Sequence, residues 1–120
     1  MGEYELVHTI RFESARKLTK VPDGHPCGNI YGLSFKLDIH VRGPLDNETD
    51  WVIDFDDIEK DFEPLKKQID HNYLNDVKGL ENPTTEVLIT WIWNELKPVM
   101  PNLTKLVLKE NEKSRVIYSG

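Results

Sequence analysis

The chain has 120 residues, a length that suits one domain with a single core, and we predict one domain over residues 1–120. Lys and Arg number 15 against 21 Asp and Glu, and the resulting net charge of -6 disfavours a nucleic-acid partner. No apolar run approaches the ~18 residues that a membrane span needs, and the first residues lack a signal-peptide pattern. We therefore expect a cytoplasmic protein with no membrane partner.

The first part of the chain shows the alternation of apolar and polar residues that is typical of β-strands. A first strand is predicted from Tyr4 to Phe12, with a bend and a continuation over Ser14–Leu18. The alternation is most regular over Leu33–Val41, which predicts a long antiparallel strand with one solvated face. A glycine-punctuated loop, which contains the only cysteine, Cys27, joins the two strands.

A helical period begins after Asp54. Apolar residues from Phe55 to Ile69 recur at intervals of three and four, which predicts an amphipathic helix with Asp54 as its N-cap. Pro64 lies inside this segment, where a proline removes one backbone hydrogen bond and clashes with the preceding turn. We therefore expect a kink or a break at Pro64.

The remaining segments predict a polar loop over residues 70–79, a second helix and two closing strands. Thr84 or Thr85 is suited to cap the second helix, which is expected to run to about Lys97. The strands are predicted over Leu103–Asn111 and Arg115–Tyr118. The order ββααββ indicates an α+β domain with a four-stranded antiparallel sheet and both helices on one face. Exposed sheet edges favour association with further copies of the chain.

Three groups of residues are candidates for chemistry. His25 and Cys27 are two apart and form at most half of a metal site, since structural zinc takes four ligands; an inert buried thiol is the alternative for Cys27. Asp70 precedes His71, so the carboxylate could orient the imidazole for acid–base chemistry, or the pair could be an exposed pair without a role. Glu110 ends a strand and could accept two parallel N–H bonds from an amino-heterocycle, or be only solvated.

The sequence also resembles a known family over essentially its whole length. It resembles 6-carboxy-5,6,7,8-tetrahydropterin synthase, the queuosine-pathway member of the 6-pyruvoyl-tetrahydropterin synthase family. The segments that carry the resemblance are Phe12-Glu-Ser-Ala15, His25-Pro-Cys-Gly28, Trp51-Val-Ile-Asp-Phe55, Asp70-His-Asn-Tyr-Leu-Asn75, Gly79-Leu-Glu-Asn-Pro-Thr84, Trp91-Ile-Trp93 and Leu108-Lys-Glu110.

The resemblance implies a tunnelling fold (T-fold) that assembles as a homo-hexamer, a dimer of trimers, with active sites between subunits. It implies a carbon–carbon lyase that converts 7,8-dihydroneopterin triphosphate to a 6-carboxy pterin and releases acetaldehyde and triphosphate. Cys27 matches the catalytic thiol of the family, and Asp70 and His71 match its acid–base pair. Glu110 matches the pterin anchor, and Thr84 and Thr85 are expected near the pterin.

The sequence departs from this family at the metal site. The family binds zinc through three histidines, and the matching positions here hold Arg16, Tyr31 and Leu33. Arginine has no free lone pair at neutral pH, and leucine has no donor atom. We therefore predict that zinc is absent and expect no other cofactor. Arg16 could supply a fixed positive charge towards the substrate and Tyr31 a hydroxyl, whereas Leu33 is better explained as filling the vacated space.

These observations favour a zinc-free, pterin-binding protein whose parent lyase activity is weak or lost. One alternative is metal-independent acid–base chemistry on a pterin, like that of dihydroneopterin aldolase, carried out by Cys27, His71 and Arg16. The other is a natural or redesigned binding scaffold, in which Glu110 holds a pterin or purine ring and no reaction follows.

Overall fold

The computed structural model describes residues 2–120, which form a five-stranded sheet with two α-helices. Strand β1 comprises Tyr4–Arg16 and strand β2 comprises Tyr31–Gly43; they pair antiparallel along their whole lengths. A short 3-10 helix, Pro26–Gly28, lies in the loop between them. Strand β2 is longer than the predicted Leu33–Val41. Strand β1 includes part of the predicted continuation and reaches Arg16 without interruption, because each of its residues has a partner on β2.

Helix α1, Phe55–Ile69, begins after the predicted N-cap Asp54, whose side chain accepts the N–H of Asp56. A kink or a break was predicted at Pro64, and the break does not occur, because α1 continues through this residue to Ile69. Pro64 is on the exposed side of α1, where water can satisfy the carbonyl that loses its partner. The apolar stripe of α1 is buried at Ile58, Phe62, Leu65 and Ile69, whereas Phe55, the first residue of the predicted stripe, is 47% exposed.

Residues 70–79 were predicted to form a loop, but they contain a further strand. Strand β3, Asn72–Tyr73, pairs in parallel with β1 at Ser14 and Ala15, and a 3-10 helix, Leu74–Asp76, follows it. The sheet is therefore mixed, and the four predicted antiparallel strands are joined by a fifth of two residues. So short a strand carries no alternation that a sequence pattern could detect.

Helix α2 comprises Thr85–Leu96, strand β4 Leu103–Lys109 and strand β5 Arg115–Tyr118. The order across the sheet is β3-β1-β2-β4-β5. Both helices cover one face of the sheet, where apolar residues of one parity are buried against them. The other face carries polar side chains and is not covered by any element of residues 2–120. No helix in this part of the chain has the length and apolar character to cross a membrane.

Candidate functional site

The buried guanidinium of Arg16 organises the candidate site. Arg16 is the last residue of β1, lies directly opposite Tyr31, the first residue of β2, and is only 3% exposed. Its Nε donates to the Tyr31 hydroxyl at 3.0 Å. One terminal nitrogen donates to the Pro83 carbonyl and to the Thr85 hydroxyl, both at 3.1 Å. The other donates to Glu110 Oε1 at 2.5 Å, so every nitrogen of the guanidinium is engaged within the chain.

Glu110 forms the acidic side of this cluster. It follows the last residue of β4, and its side chain is 27% exposed. Oε1 accepts hydrogen bonds from both Arg16 and the Thr85 hydroxyl. Burial raises the pKa of Glu110, but the bonds from Thr85 and Arg16, together with the charge of Arg16, outweigh burial and place the pKa below its ordinary value. Glu110 is therefore held as a carboxylate by residues from β1 and α2.

Tyr31 accepts a hydrogen bond from Arg16 and has the Cys27 thiol as a neighbour. Burial raises the pKa of Tyr31, the adjacent Cys27 thiol raises it further, and Arg16 acts in the opposite direction. The side chain of His25 accepts the Cys27 N–H through Nδ1 at 3.0 Å, which caps the 3-10 helix. This bond occupies Nδ1 of His25, so only Nε2 of that ring is left to bind a metal.

The two threonines have different positions. Thr85 Oγ1 accepts a hydrogen bond from Arg16 and donates one to Glu110. Thr84 is instead the N-cap of α2, because its Oγ1 accepts the Val87 N–H at 3.1 Å. The Pro83 carbonyl, which accepts from Arg16, was missed by sequence reasoning. A backbone acceptor leaves no signal in the sequence of side chains.

Asp70 and His71 form a separate pair. Asp70 Oδ1 accepts the Glu13 N–H at 2.9 Å and lies 3.0 Å from His71 Nδ1. The bond from Glu13 is the main reason that the pKa of Asp70 lies below its ordinary value, and His71 adds to this effect. The His71 side chain is 79% exposed, so its second ring nitrogen is free to face a ligand. His71 and Leu33 both line a cleft of about 400 Å³.

His71 is held in place by its backbone. Its φ angle is +57°, a left-handed conformation that non-glycine residues rarely adopt, and its N–H donates to the Glu13 carbonyl at 2.5 Å. No hydrogen bond or ion pair within residues 2–120 connects Asp70 and His71 to the cluster of Cys27, Tyr31, Arg16, Thr85 and Glu110. The chain by itself therefore presents two groups of candidate residues, not one.

The three positions that the resemblance assigns to zinc do not fit that metal. Arg16, Tyr31 and Leu33 share the helix-covered face, but Arg16 uses all its nitrogens as donors and Leu33 packs against the core. Among residues 2–120, no three His, Cys, Asp or Glu side chains converge to hold a metal ion. Of these three side chains, only the Tyr31 hydroxyl could act as a metal ligand, and a single phenol is too few ligands for a zinc site.

The order of strands and helices and the pairing of the sheet define a protein of the tunnelling fold (T-fold). The family model for 6-pyruvoyl tetrahydropterin synthase matches residues 5–120, and the chain belongs to that family. It is 34% identical over 98 residues to a protein of Synechocystis sp. named 6-carboxy-5,6,7,8-tetrahydropterin synthase, covering 77% of this chain and 76% of that one.

Two further similarities extend the comparison. A protein of Pyrococcus furiosus named dihydroneopterin monophosphate aldolase is 31% identical over 105 residues, covering 88% of this chain and 78% of its own length. The solved structure of 6-pyruvoyl tetrahydropterin synthase from Caenorhabditis elegans superposes with a TM-score of 0.91 over 100% of this chain and 97% of that one, at 24% identity. The second similarity establishes the T-fold, while the family assignment comes from the sequence matches.

Proposed function

We propose that this chain is a zinc-free member of its family that binds a pterin and has weak or no lyase activity on 7,8-dihydroneopterin triphosphate. The observation that carries the proposal is Arg16, which lies where the resemblance places a zinc-binding histidine and bonds directly to the expected pterin anchor, Glu110. A cation fixed at this point supplies positive charge near the anchor. It does not supply the open coordination position at which a metal activates a hydroxyl.

Arg16 also limits how Glu110 can bind a pterin. Oε1 of Glu110 already accepts two hydrogen bonds, from Arg16 and Thr85, which uses the capacity of that oxygen. A pterin anchored by two parallel N–H bonds needs both carboxylate oxygens. In the arrangement described here only Oε2 is free for such a ligand, so binding through Glu110 is expected to be weaker than a bidentate contact. Replacing Arg16 should then strengthen binding.

The proposal is tested by titrating neopterin into the protein with isothermal titration calorimetry. We expect measurable binding, a loss of about tenfold for Glu110→Gln and a gain of similar size for Arg16→Met, each equivalent to one hydrogen bond to a charged group. Glu112→Gln is the matched control, since this exposed carboxylate lies two residues further along the chain. Circular dichroism shows whether each variant is folded. Equal neopterin affinities of the parent and Glu110→Gln would show that Glu110 does not anchor the pterin.

Turnover is tested separately by measuring acetaldehyde release from 7,8-dihydroneopterin triphosphate. The weak-lyase proposal expects release near the background without enzyme, because a metal contributes several kcal/mol to lowering such a barrier. Adding zinc should not change the rate. Rapid release that depends on zinc would overturn the zinc-free assignment, whereas neopterin binding would still stand.

We further propose that the protein assembles as a homo-hexamer in the cytoplasm. Support comes from β5, a four-residue edge strand on which Ile117 is 59% exposed, and from the separation of Asp70 and His71 from the Arg16 cluster. Contact between subunits would bring the acid–base pair of one chain towards Cys27 of another. Sedimentation velocity should give six times the mass of the chain, and a monomer at micromolar concentration would contradict the assembly.

A second candidate function is the metal-independent cleavage of a dihydroneopterin. It is favoured by the Pyrococcus relative, named as an aldolase, and by the exposed His71 ring that Asp70 orients. A base would take the proton of the side-chain hydroxyl, the adjacent carbon–carbon bond would break as the aldehyde forms, and the electron pair would enter the pterin ring system before protonation. Glycolaldehyde release from dihydroneopterin that is lost in His71→Gln would support this function.

A further inference from the structure

Four basic side chains form a continuous row across the uncovered face of the sheet. Arg11 of β1 lies opposite Lys36 of β2, Lys36 lies opposite Lys109 of β4, and Lys109 lies opposite Arg115 of β5. We call these four residues the basic row. Arg11 and Arg16 have opposite parity on β1, so the row faces away from the cluster of Arg16 and Glu110.

The row is electrostatically unfavourable by itself. Like charges directly opposite one another on neighbouring strands destabilise a sheet, and here three such pairs follow in succession. Lys109 has an ion pair with Asp38 at 3.2 Å, whereas Arg11, Lys36 and Arg115 make no ion pair within residues 2–120. In a chain of net charge -6, four cations gathered in one row indicate a local site for an anion.

The row also lines a concave surface. A cleft of about 450 Å³ is bounded by its four residues together with Ser34, Asn111 and Glu112. The β4–β5 turn supplies Asn111 and Glu112, and Glu112 is the only carboxylate of the lining. Neighbouring strands are ~4.8 Å apart, so the row extends over about 14 Å across four strands. That length suits an extended chain of phosphates better than a single compact anion.

We propose that the basic row binds an oligophosphate. Guanidinium groups at the two ends can each bind phosphate oxygens in a bidentate manner, while the two lysines between them act as point charges. The ligand is a free linear oligophosphate or the phosphate tail of a larger molecule, since both present the same chemistry to the row. The proposal does not depend on a pterin at Glu110, because the row is on the other face of the sheet.

The test is a calorimetric titration with tripolyphosphate at low ionic strength, in which exposed charges are least screened. We expect binding at least about tenfold tighter than that of orthophosphate, and a loss of about tenfold in Lys36→Gln. Lys105→Gln is the matched control, because Lys105 lies on β4 and pairs with His40 of β2 away from the row. It should change affinity by less than about twofold.

Two ligands distinguish the source of the phosphates. Equal affinities for tripolyphosphate and ATP indicate a site for the phosphate chain alone, and tighter binding of ATP indicates a tail attached to a larger group. Either result supports the site if Lys36→Gln weakens the binding of tripolyphosphate and of ATP equally. Neither ligand should displace neopterin. The proposal is overturned by equal losses in Lys36→Gln and Lys105→Gln, by an unchanged Lys36→Gln, or by no binding. It is also overturned if Lys36→Gln changes the sedimentation coefficient instead, which would assign the row to contacts between copies.

Discussion

The guanidinium of Arg16 and the carboxylate of Glu110 lie 2.5 Å apart although 94 residues separate them in the chain. The pair joins the end of β1 to the end of β4, and its arginine side chain is only 4% exposed. Tyr31 and Phe35 place their rings 5.4 Å and 5.7 Å from the guanidinium carbon, which adds cation–π contacts to the ion pair. The pair thus has a structural role at the position where relatives are expected to hold a metal.

Removing the arginine should destabilise the fold. Arg16→Met leaves the partly buried Glu110 carboxylate without its charge partner, and breaking such a pair costs about 3 kcal/mol of unfolding free energy. Urea denaturation measures this loss. Arg42→Gln is the control, because Arg42 and its partner Glu3 are both about half exposed and should contribute less than about 1 kcal/mol. Equal losses in the two variants would contradict a special role for Arg16.

The stability should also depend on pH through Glu110. Its native pKa lies below the ordinary value of 4.5, so in acid the unfolded chain takes up a proton more readily than the native chain. This contribution is complete above pH 4.5 and is lost as the pH falls through the native pKa. Urea denaturation between pH 7 and pH 3 should show a shallower loss for Glu110→Gln than for the parent. Parallel dependences of the unfolding free energy on pH in the two proteins would show that Glu110 has the same pKa in the native and unfolded states.

A zinc site should be recoverable by substitution. Residues 16, 31 and 33 lie on one face of paired strands, so Arg16→His, Tyr31→His and Leu33→His together place three imidazoles close to one another. We expect about one zinc per chain by elemental analysis after dialysis against zinc and then against buffer. The parent should hold much less zinc, and so should the double variant Tyr31→His/Leu33→His, which retains Arg16. Zinc retained equally by all three proteins would contradict this account of the positions.

The backbone of His71 predicts an unusual order of stability. At a φ angle of +57°, glycine avoids the ~1 kcal/mol that a Cβ costs in the left-handed region, so His71→Gly should be more stable than His71→Ala. His40 provides the comparison, because it lies inside the extended strand β2. At this position His40→Gly should be less stable than His40→Ala. Thermal denaturation of the four variants tests both orders.

Local patterns explain how far the sequence predicted the fold. Alternation identified the long strands, and the cap at Asp54 and the stripe that follows identified α1, because these features depend on residues close in the chain. The predicted break at Pro64 did not occur, since burial of the stripe of α1 outweighs the loss of one exposed hydrogen bond. Strand β3 escaped prediction because its two residues are ordered by pairing with β1.

For the candidate site, too, some features could be read from the sequence and others only from the structure. The sequence by itself determined the family, the presence of Cys27, Asp70, His71 and Glu110, and the absence of histidine at residues 16, 31 and 33. Only the tertiary structure decided that Arg16 is buried with all its nitrogens bonded, that Glu110 is its partner, and that Thr84 caps a helix while Thr85 joins the site. Such pairings depend on which strand ends meet in space, and spacing along the chain does not encode that distance.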